Sequence, residues 1–233
     1  MSTIAANMQA VEATIAAAAE ASGRPRSSVQ LLAVSKTFPM EAVLEAMAAG
    51  QRAFGENYLQ EGVEKIAAVA RTQPDTPVEW HFIGPIQSNK TRPIATSFAW
   101  VHTVERLKIA QRLSEQRPPE MGPLNVCLQV NISGETTKSG VTSAELPELA
   151  RQVAALPNLK LRGLMAIPEA QPDPALQRAA FAELRVLADM LRADGLAIDT
   201  LSMGMSGDMA AAIAEGATIV RVGSAIFGAR HYD

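Results

Sequence analysis

The sequence predicts a single (β/α)8 barrel, one domain spanning residues 1–233. Three observations lead there. Eight short apolar runs recur along the chain, helical stretches stand between them, and the unusual polar and glycine residues gather where the runs end. Alternating strand and helix patterns argue for a parallel sheet. Eight such units in roughly 200 residues match a barrel of near-minimal size, and barrels of this kind carry their chemistry at the carboxyl ends of the strands. An open doubly wound sheet is the alternative. No G-x-G-x-x-G opens a helix after the first strand, which argues against its dinucleotide-binding form.

The elements follow in order. Ile4, Met8, Val11 and Ile15 recur at helical spacing over residues 3–22, and Gly23 ends that helix. Residues 30–35 form the first apolar run, with Lys36 at its end. Pro39 marks a helix start, and the helix over 41–49 stops at Gly50. A very short strand at 52–55 leads into Glu56-Asn57-Tyr58 and a helix over 59–70. Strands follow at 78–83 and 98–102, and a helix at 104–117. Between those two strands lies the polar run Gln87-Ser88-Asn89-Lys90. A strand at 124–131, a polar loop at 133–140 and a helix at 143–156 come next. The chain continues with strand 159–165, helix 175–193, strand 198–203, helix 208–215, strand 218–222 and a last turn at 224–228.

Composition sets limits. Of the residues, 48% are hydrophobic and 19% charged, as in ordinary soluble globular proteins. Basic residues are scattered and the net charge is −3, so no footprint for nucleic acid is present. The first 22 residues contain Glu12 and Glu20 but no Lys or Arg, wrong for a signal peptide and too polar to span a membrane. A cytoplasmic location is expected. The single cysteine, Cys127, sits in an apolar run and reads as a small buried hydrophobe. No metal site is expected.

Lys36 closes an apolar strand. Burying an ammonium costs free energy unless it is paired or deprotonated, so Lys36 either reaches water or is a desolvated, Schiff-base amine. Two glycine-containing clusters, Ser202–Asp208 and Gly223-Ser224, follow the last two strands. Barrels often hold a phosphate there, at backbone N–H groups that open helical turns. Ser206, Gly223 and Ser224 are the candidate phosphate residues. Arg221 lies on an otherwise apolar strand and cannot shed its charge, so it must meet an acceptor, either an internal carboxylate such as Glu56 or a ligand. An amine, a phosphate cradle and an inward guanidinium together describe pyridoxal 5′-phosphate.

At this point longer motifs become legible: AVSKT at 33–37, FGENY at 54–58, HFIGPIQSNK at 81–90, VNISGETTKSG at 130–140, GLMAIP at 163–168, LSMGMSGDMAAAI at 201–213 and VRVGSAIFG at 221–229. With them the chain resembles, over essentially its whole length, the pyridoxal phosphate homeostasis proteins (the YggS/PROSC family), which look like the TIM-barrel half of alanine racemase. The resemblance implies that Lys36 forms an internal aldimine with pyridoxal phosphate and that Arg221 faces the pyridine nitrogen. It implies that Ser206, Gly223 and Ser224 hold the phosphate and that Asn57 and Met203 lie near the ring. Phe38 stands where the family commonly has a second lysine, and Ser224 where it usually has threonine. Lys138 matches a family lysine in the loop after the fifth strand.

Two functions from different classes fit. One is a monomeric, non-catalytic protein that buffers pyridoxal phosphate and delivers it to apoenzymes; the other is a pyridoxal-phosphate-dependent amino-acid racemase. A racemase needs a second acid–base group on the opposite face of the cofactor. Neither Tyr58, at a helix start, nor Tyr232, near the carboxyl terminus, is an obvious candidate, so no catalytic residue is assigned.

Overall fold

The computed structural model describes residues 3–133 and 139–229. Eight parallel strands close into a barrel in the order β1 to β8. They are β1 (Gln30–Val34), β2 (Ala53–Glu56), β3 (Glu79–Phe82), β4 (Trp100–Val104), β5 (Leu124–Gln129), β6 (Leu159–Met165), β7 (Thr200–Ser202) and β8 (Ile219–Val222). The barrel closes through β1 and β8, with Leu32 level with Arg221 and Ala33 level with Val222. The open doubly wound alternative is thereby set aside.

Nine helices lie among the described residues. They are α1 (Thr3–Ala21), α2 (Met40–Ala48), α3 (Leu59–Thr72), α4 (Thr91–Ser97), α5 (Leu107–Gln116), α6 (Leu146–Ala154), α7 (Pro174–Ala193), α8 (Met209–Ala214) and α9 (Ser224–Phe227). Each crossover helix turns an apolar stripe to the outer face of the sheet. Ile109, Ala110 and Leu113 of α5 and Phe181, Leu184, Leu187, Ala188 and Leu191 of α7 are buried there. Helix α1 precedes the first strand and packs against α8 and α9. None of these helices is long and apolar enough to cross a membrane.

Helix α4 falls just after the polar run 87–90, where no helix is named from the sequence. Its seven residues include Pro93 and two threonines, a composition that favours neither a helix nor its recognition. Ile94 and Ala95 are nonetheless fully packed, so tertiary burial decides the conformation.

Strand periodicity divides the apolar residues in two. Alternate positions point outward to the helices: Leu31, Ala33, Val220 and Val222 belong to the large cluster between sheet and helices. The others point inward: Leu32, Val34, Trp100, Cys127, Met165 and Ile219 form a smaller cluster inside the barrel. At β6 the register slips between Val126/Leu161 and Cys127/Gly163, which leaves Arg162 as an extra residue, a β-bulge. There the backbones of β6 and β7 approach so closely that a Cβ on Gly163 would lie 1.7 Å from the carbonyl oxygen of Thr200.

That contact predicts that Gly163→Ala destabilises the fold by about 1–3 kcal/mol, the usual range for overpacking. Urea unfolding followed by circular dichroism measures it. A midpoint equal to that of the unaltered protein would show that the two strands have room to spare.

Candidate functional site

The inward-facing residues at the carboxyl ends of the strands leave a cavity of ≈ 270 Å³ at the barrel mouth. Its wall is what the alternation dictates. Val34 and Lys36 follow Leu32 at two-residue steps, Ile83 follows His81, Ile167 follows Met165, and Gly223 follows Arg221. Asn57, Met205, Ser206, Gly207 and Ser224 complete the lining. Six of the seven residues singled out from sequence therefore meet at one cavity: Lys36, Asn57, Ser206, Arg221, Gly223 and Ser224. Met203 does not. It is one step out of phase with inward-facing Ser202, and its side chain packs in the outer core. Lys138 and Tyr232 lie outside the described residues.

The turn that carries Lys36 is held from below. Lys65, on the buried stripe of α3, donates to the carbonyl oxygen of Ser35 at 2.7 Å, to Glu56 Oε1 at 2.8 Å and to Glu61 Oε1 at 2.5 Å. Ser35 Oγ also donates to Glu56 Oε1, at 2.6 Å, and the Thr37 N–H donates to Glu61 Oε1 at 2.6 Å. Thr37 has φ 68°, a left-handed conformation that costs a non-glycine residue energy and persists only where its surroundings enforce it. Both neighbours of Lys36 are thus tied to one ion-pair cluster. Glu56 is fully buried, and burial raises its carboxyl above the usual range despite Lys65 beside it. It serves this cluster. It is neither a helix-terminal charge nor a partner of Arg221.

Arg221 is 5% exposed on β8. Its Nη1 donates to Ser202 Oγ at 2.8 Å and its Nη2 to the carbonyl oxygen of Ala166 at 3.0 Å. Desolvation pulls its pKa down to about 10, which leaves it charged at neutral pH. Among the described residues no carboxylate is hydrogen-bonded to it; Asp208 acts on it only at a distance.

Beside Arg221, Ser206, Gly207, Gly223 and Ser224 bring two hydroxyls and the start of α9 together. Asp208 Oδ1 accepts from the Met205 N–H at 2.6 Å, which folds the 205–208 turn towards the cavity. Gly84 lets the chain after β3 press on the backbone of Asn57, where a Cβ would lie 2.0 Å from the Asn57 carbonyl oxygen. Asn57 Oδ1 is buried without a hydrogen-bond partner among the described residues. Phe38, where a second lysine was expected from the resemblance, packs against Phe227 of α9 with ring centroids 5.2 Å apart. It joins the Lys36 turn to the Gly223–Ser224 side.

This donor set fits a flat, phosphorylated aldehyde. It offers an amine, two hydroxyls beside a helical turn, a fixed cation and an unpartnered amide oxygen. Tyr58 is 55% exposed and lines a separate groove with Leu59, Val63, Phe82, Pro85 and Ile86. Among the described residues that line the cavity, none is a tyrosine, histidine or carboxylate.

Three supporting roles escaped the sequence reading. Lys65 had a signal: a charge in phase with buried Gly62 and Val69 on the apolar stripe of α3. Ser202 and the Ala166 carbonyl had none, because only the closed barrel brings β7 and the end of β6 to Arg221.

Comparison with known proteins agrees with this fold. Residues 6–231 match the family model "Alanine racemase, N-terminal domain". The chain is 63% identical to a pyridoxal phosphate homeostasis protein of Pseudomonas aeruginosa, over all of this chain and 98% of that one. PipY of Synechococcus elongatus, a structure with pyridoxal phosphate bound, superposes with a TM-score of 0.84 at 38% identity, over 97% of this chain and 100% of that one. Alanine racemase of Corynebacterium glutamicum shares the fold at 19% identity, with a TM-score of 0.69 over 99% of this chain and 62% of that one.

Lys65→Met leaves Glu56 buried and unpaired, and the expected loss is about 3–5 kcal/mol at neutral pH. Without Lys65 the Glu56 carboxyl rises further. A carboxyl whose pKa is raised on folding favours the folded state at low pH and disfavours it as pH climbs through the raised value. The deficit should therefore shrink as pH falls from neutral through the raised Glu56 values and be smallest by about pH 4.5, the ordinary carboxyl range. Urea midpoints of both proteins across pH 4–8 give the measurement; a deficit independent of pH would remove Glu56 from the account.

Proposed function

The chain belongs to the pyridoxal phosphate homeostasis proteins, a family whose fold is that of the alanine racemase N-terminal domain, and from this premise we propose that it binds, buffers and delivers pyridoxal 5′-phosphate. One observation carries the reading: Lys36, Arg221, Ser206 and Ser224 line a single cavity of ≈ 270 Å³. In this reading the Lys36 amine captures the aldehyde. Ser206, Gly223 and Ser224 take the phosphate, Asn57 lies beside the ring, and Arg221 meets the ring nitrogen. Met203 is left out of the set, since its side chain packs outside the barrel. The cofactor, when bound, supplies an aldehyde for amines and a ring able to draw electron density from an attached carbon.

The same residues argue for a carrier over a catalyst. Arg221 can only donate, so it leaves the ring nitrogen without a proton and makes the ring a weak electron sink. Among the described residues that line the cavity, Lys36 is the one acid–base side chain besides the permanently charged Arg221, and a racemase needs two such groups. Ile167 and Met205, at the cavity rim, are 47% and 41% exposed. An open rim leaves water in the site, which weakens the electrostatics that carbanion chemistry relies on, and it eases release. Delivery to apoenzymes in the cytoplasm completes the reading, and a single buried thiol suits that compartment.

Reconstitution with pyridoxal phosphate, borohydride trapping and peptide mapping should find the label on the peptide containing Lys36. Lys36→Ala should abolish the visible absorbance while unfolding remains cooperative. A label mainly on Lys90 or Lys138 would refute the role given to Lys36.

Incubated with L-alanine or L-serine, the loaded protein should show no appreciable loss of chirality, yet it should restore activity to an apoenzyme that requires the cofactor. Turnover above roughly 1 s⁻¹, the low end of ordinary enzymes, that disappears in Lys36→Ala would establish the racemase instead.

A further inference from the structure

Beneath Arg221 a line of buried polar side chains crosses the barrel interior. Ser202 Oγ lies 2.7 Å from His102 Nδ1. His102 Nε2 lies 2.8 Å from His81 Nδ1, and His81 Nε2 lies 2.9 Å from Glu79 Oε1. The line passes from β8 to β7, across to β4, and then to β3. It ends at the first residue of β3, the barrel end opposite the cavity. Both histidines are fully buried, while the Glu79 side chain is 41% exposed.

The chemistry of the two ends fixes the direction of every link. Arg221 can only donate, and ionised Glu79 can only accept. With both imidazoles neutral, one arrangement satisfies all contacts. His81 gives its Nε2–H to Glu79 and so accepts at Nδ1. His102 gives its Nε2–H to His81 and so accepts at Nδ1. Ser202 gives its hydroxyl proton to His102, and its oxygen is left to accept from Arg221. Burial lowers the pKa of both histidines, and His102 falls well below the usual range because His81 and Arg221 add to the effect. The surroundings agree. His81 stacks on Trp100 with ring centroids 5.3 Å apart, and Arg162 sits over the other ring of that contact, 4.6 Å from the Trp100 centroid. The nearby Cys127 thiol is held neutral by burial.

We propose that Ser202, His102, His81 and Glu79 are positioning residues for Arg221, joined in a one-way hydrogen-bond chain that aims its guanidinium at the cavity and couples it to a carboxylate at the far end of the barrel. The chain does two things. It holds Arg221 by Nη1 so that its remaining donors keep one orientation towards the mouth. It also gives the cation an aligned row of dipoles ending in a negative charge, in place of a contacting carboxylate that would compete with a ligand for the guanidinium. The consequence for the bound cofactor rests on the function proposed above; the chain itself does not.

The test has two parts. Long-range ¹H–¹⁵N correlation spectra of the labelled protein without cofactor read the tautomer of each ring. The chain holds three histidines, so His231→Gln suffices to separate the two buried ones. Both should be neutral from pH 6 to 8, with Nε2 protonated and Nδ1 bare. A proton on Nδ1 of either ring, or a charged ring, would overturn the proposal. In the second part, Ser202→Ala should weaken pyridoxal phosphate binding about tenfold, as the loss of a hydrogen bond to a charged group implies. It should also move the pH titration of the visible band, and Ser202→Thr should restore both. Unchanged affinity and titration in Ser202→Ala would refute the positioning role. Absence of any visible band in the unaltered protein would count against the proposed function alone, since the tautomers are read without cofactor.

Discussion

A permanent charge buried in a protein interior must be met, and Arg221 is such a charge. The inside of an eight-stranded barrel is ordinarily filled by layers of branched aliphatic side chains. Here Leu32, Val34, Trp100, Cys127, Met165 and Ile219 fill part of it, and His81, His102, Ser202 and Arg221 are buried among them. The guanidinium lies at the floor of the mouth with one face tied to Ser202 and Ala166. Much of the interior can be read as the support for that one group. The cavity is then the space above a fixed cation, walled by whatever each strand turns inward one step later.

A second support works from outside the barrel. Lys36 projects from a turn whose two flanking residues are anchored to Lys65, Glu56 and Glu61. The left-handed Thr37 shows that this turn is held rather than relaxed. A reactive amine gains from such a mount, because the ordering of its backbone is completed on folding and not on binding. The two supports are independent. One is an ion-pair cluster between β2, α3 and the β1 turn, and the other a neutral dipolar line inside the sheet.

Sequence alone carried the architecture and most of the cavity wall. Strand runs, Gly and Pro stops and the placement of odd residues at run ends were enough for the barrel, because those signals are local. Helix α4 was missed because its residues form a helix only under tertiary burial. Met203 was drawn towards the site by its neighbours in a motif, although the strand period turns it outward. The partners of Arg221 were invisible for a different reason. His102 and Ser202 are a hundred residues apart and on strands that are not adjacent, so only closure of the sheet makes them touch. The role of Lys65 was within reach, since a lysine on an apolar stripe asks for a partner and Glu56 and Glu61 stood nearby.

Cys127 points into the barrel and is fully buried, and its thiol is pushed up to about 12. The thiolate is the form that attacks peroxides and disulfides, and at neutral pH its fraction here is negligible. With no second cysteine in the chain, no internal disulfide can form either. Swings in cellular redox poise therefore find nothing on this thiol to act upon. The barrel interior needs no reductant to keep this thiol intact.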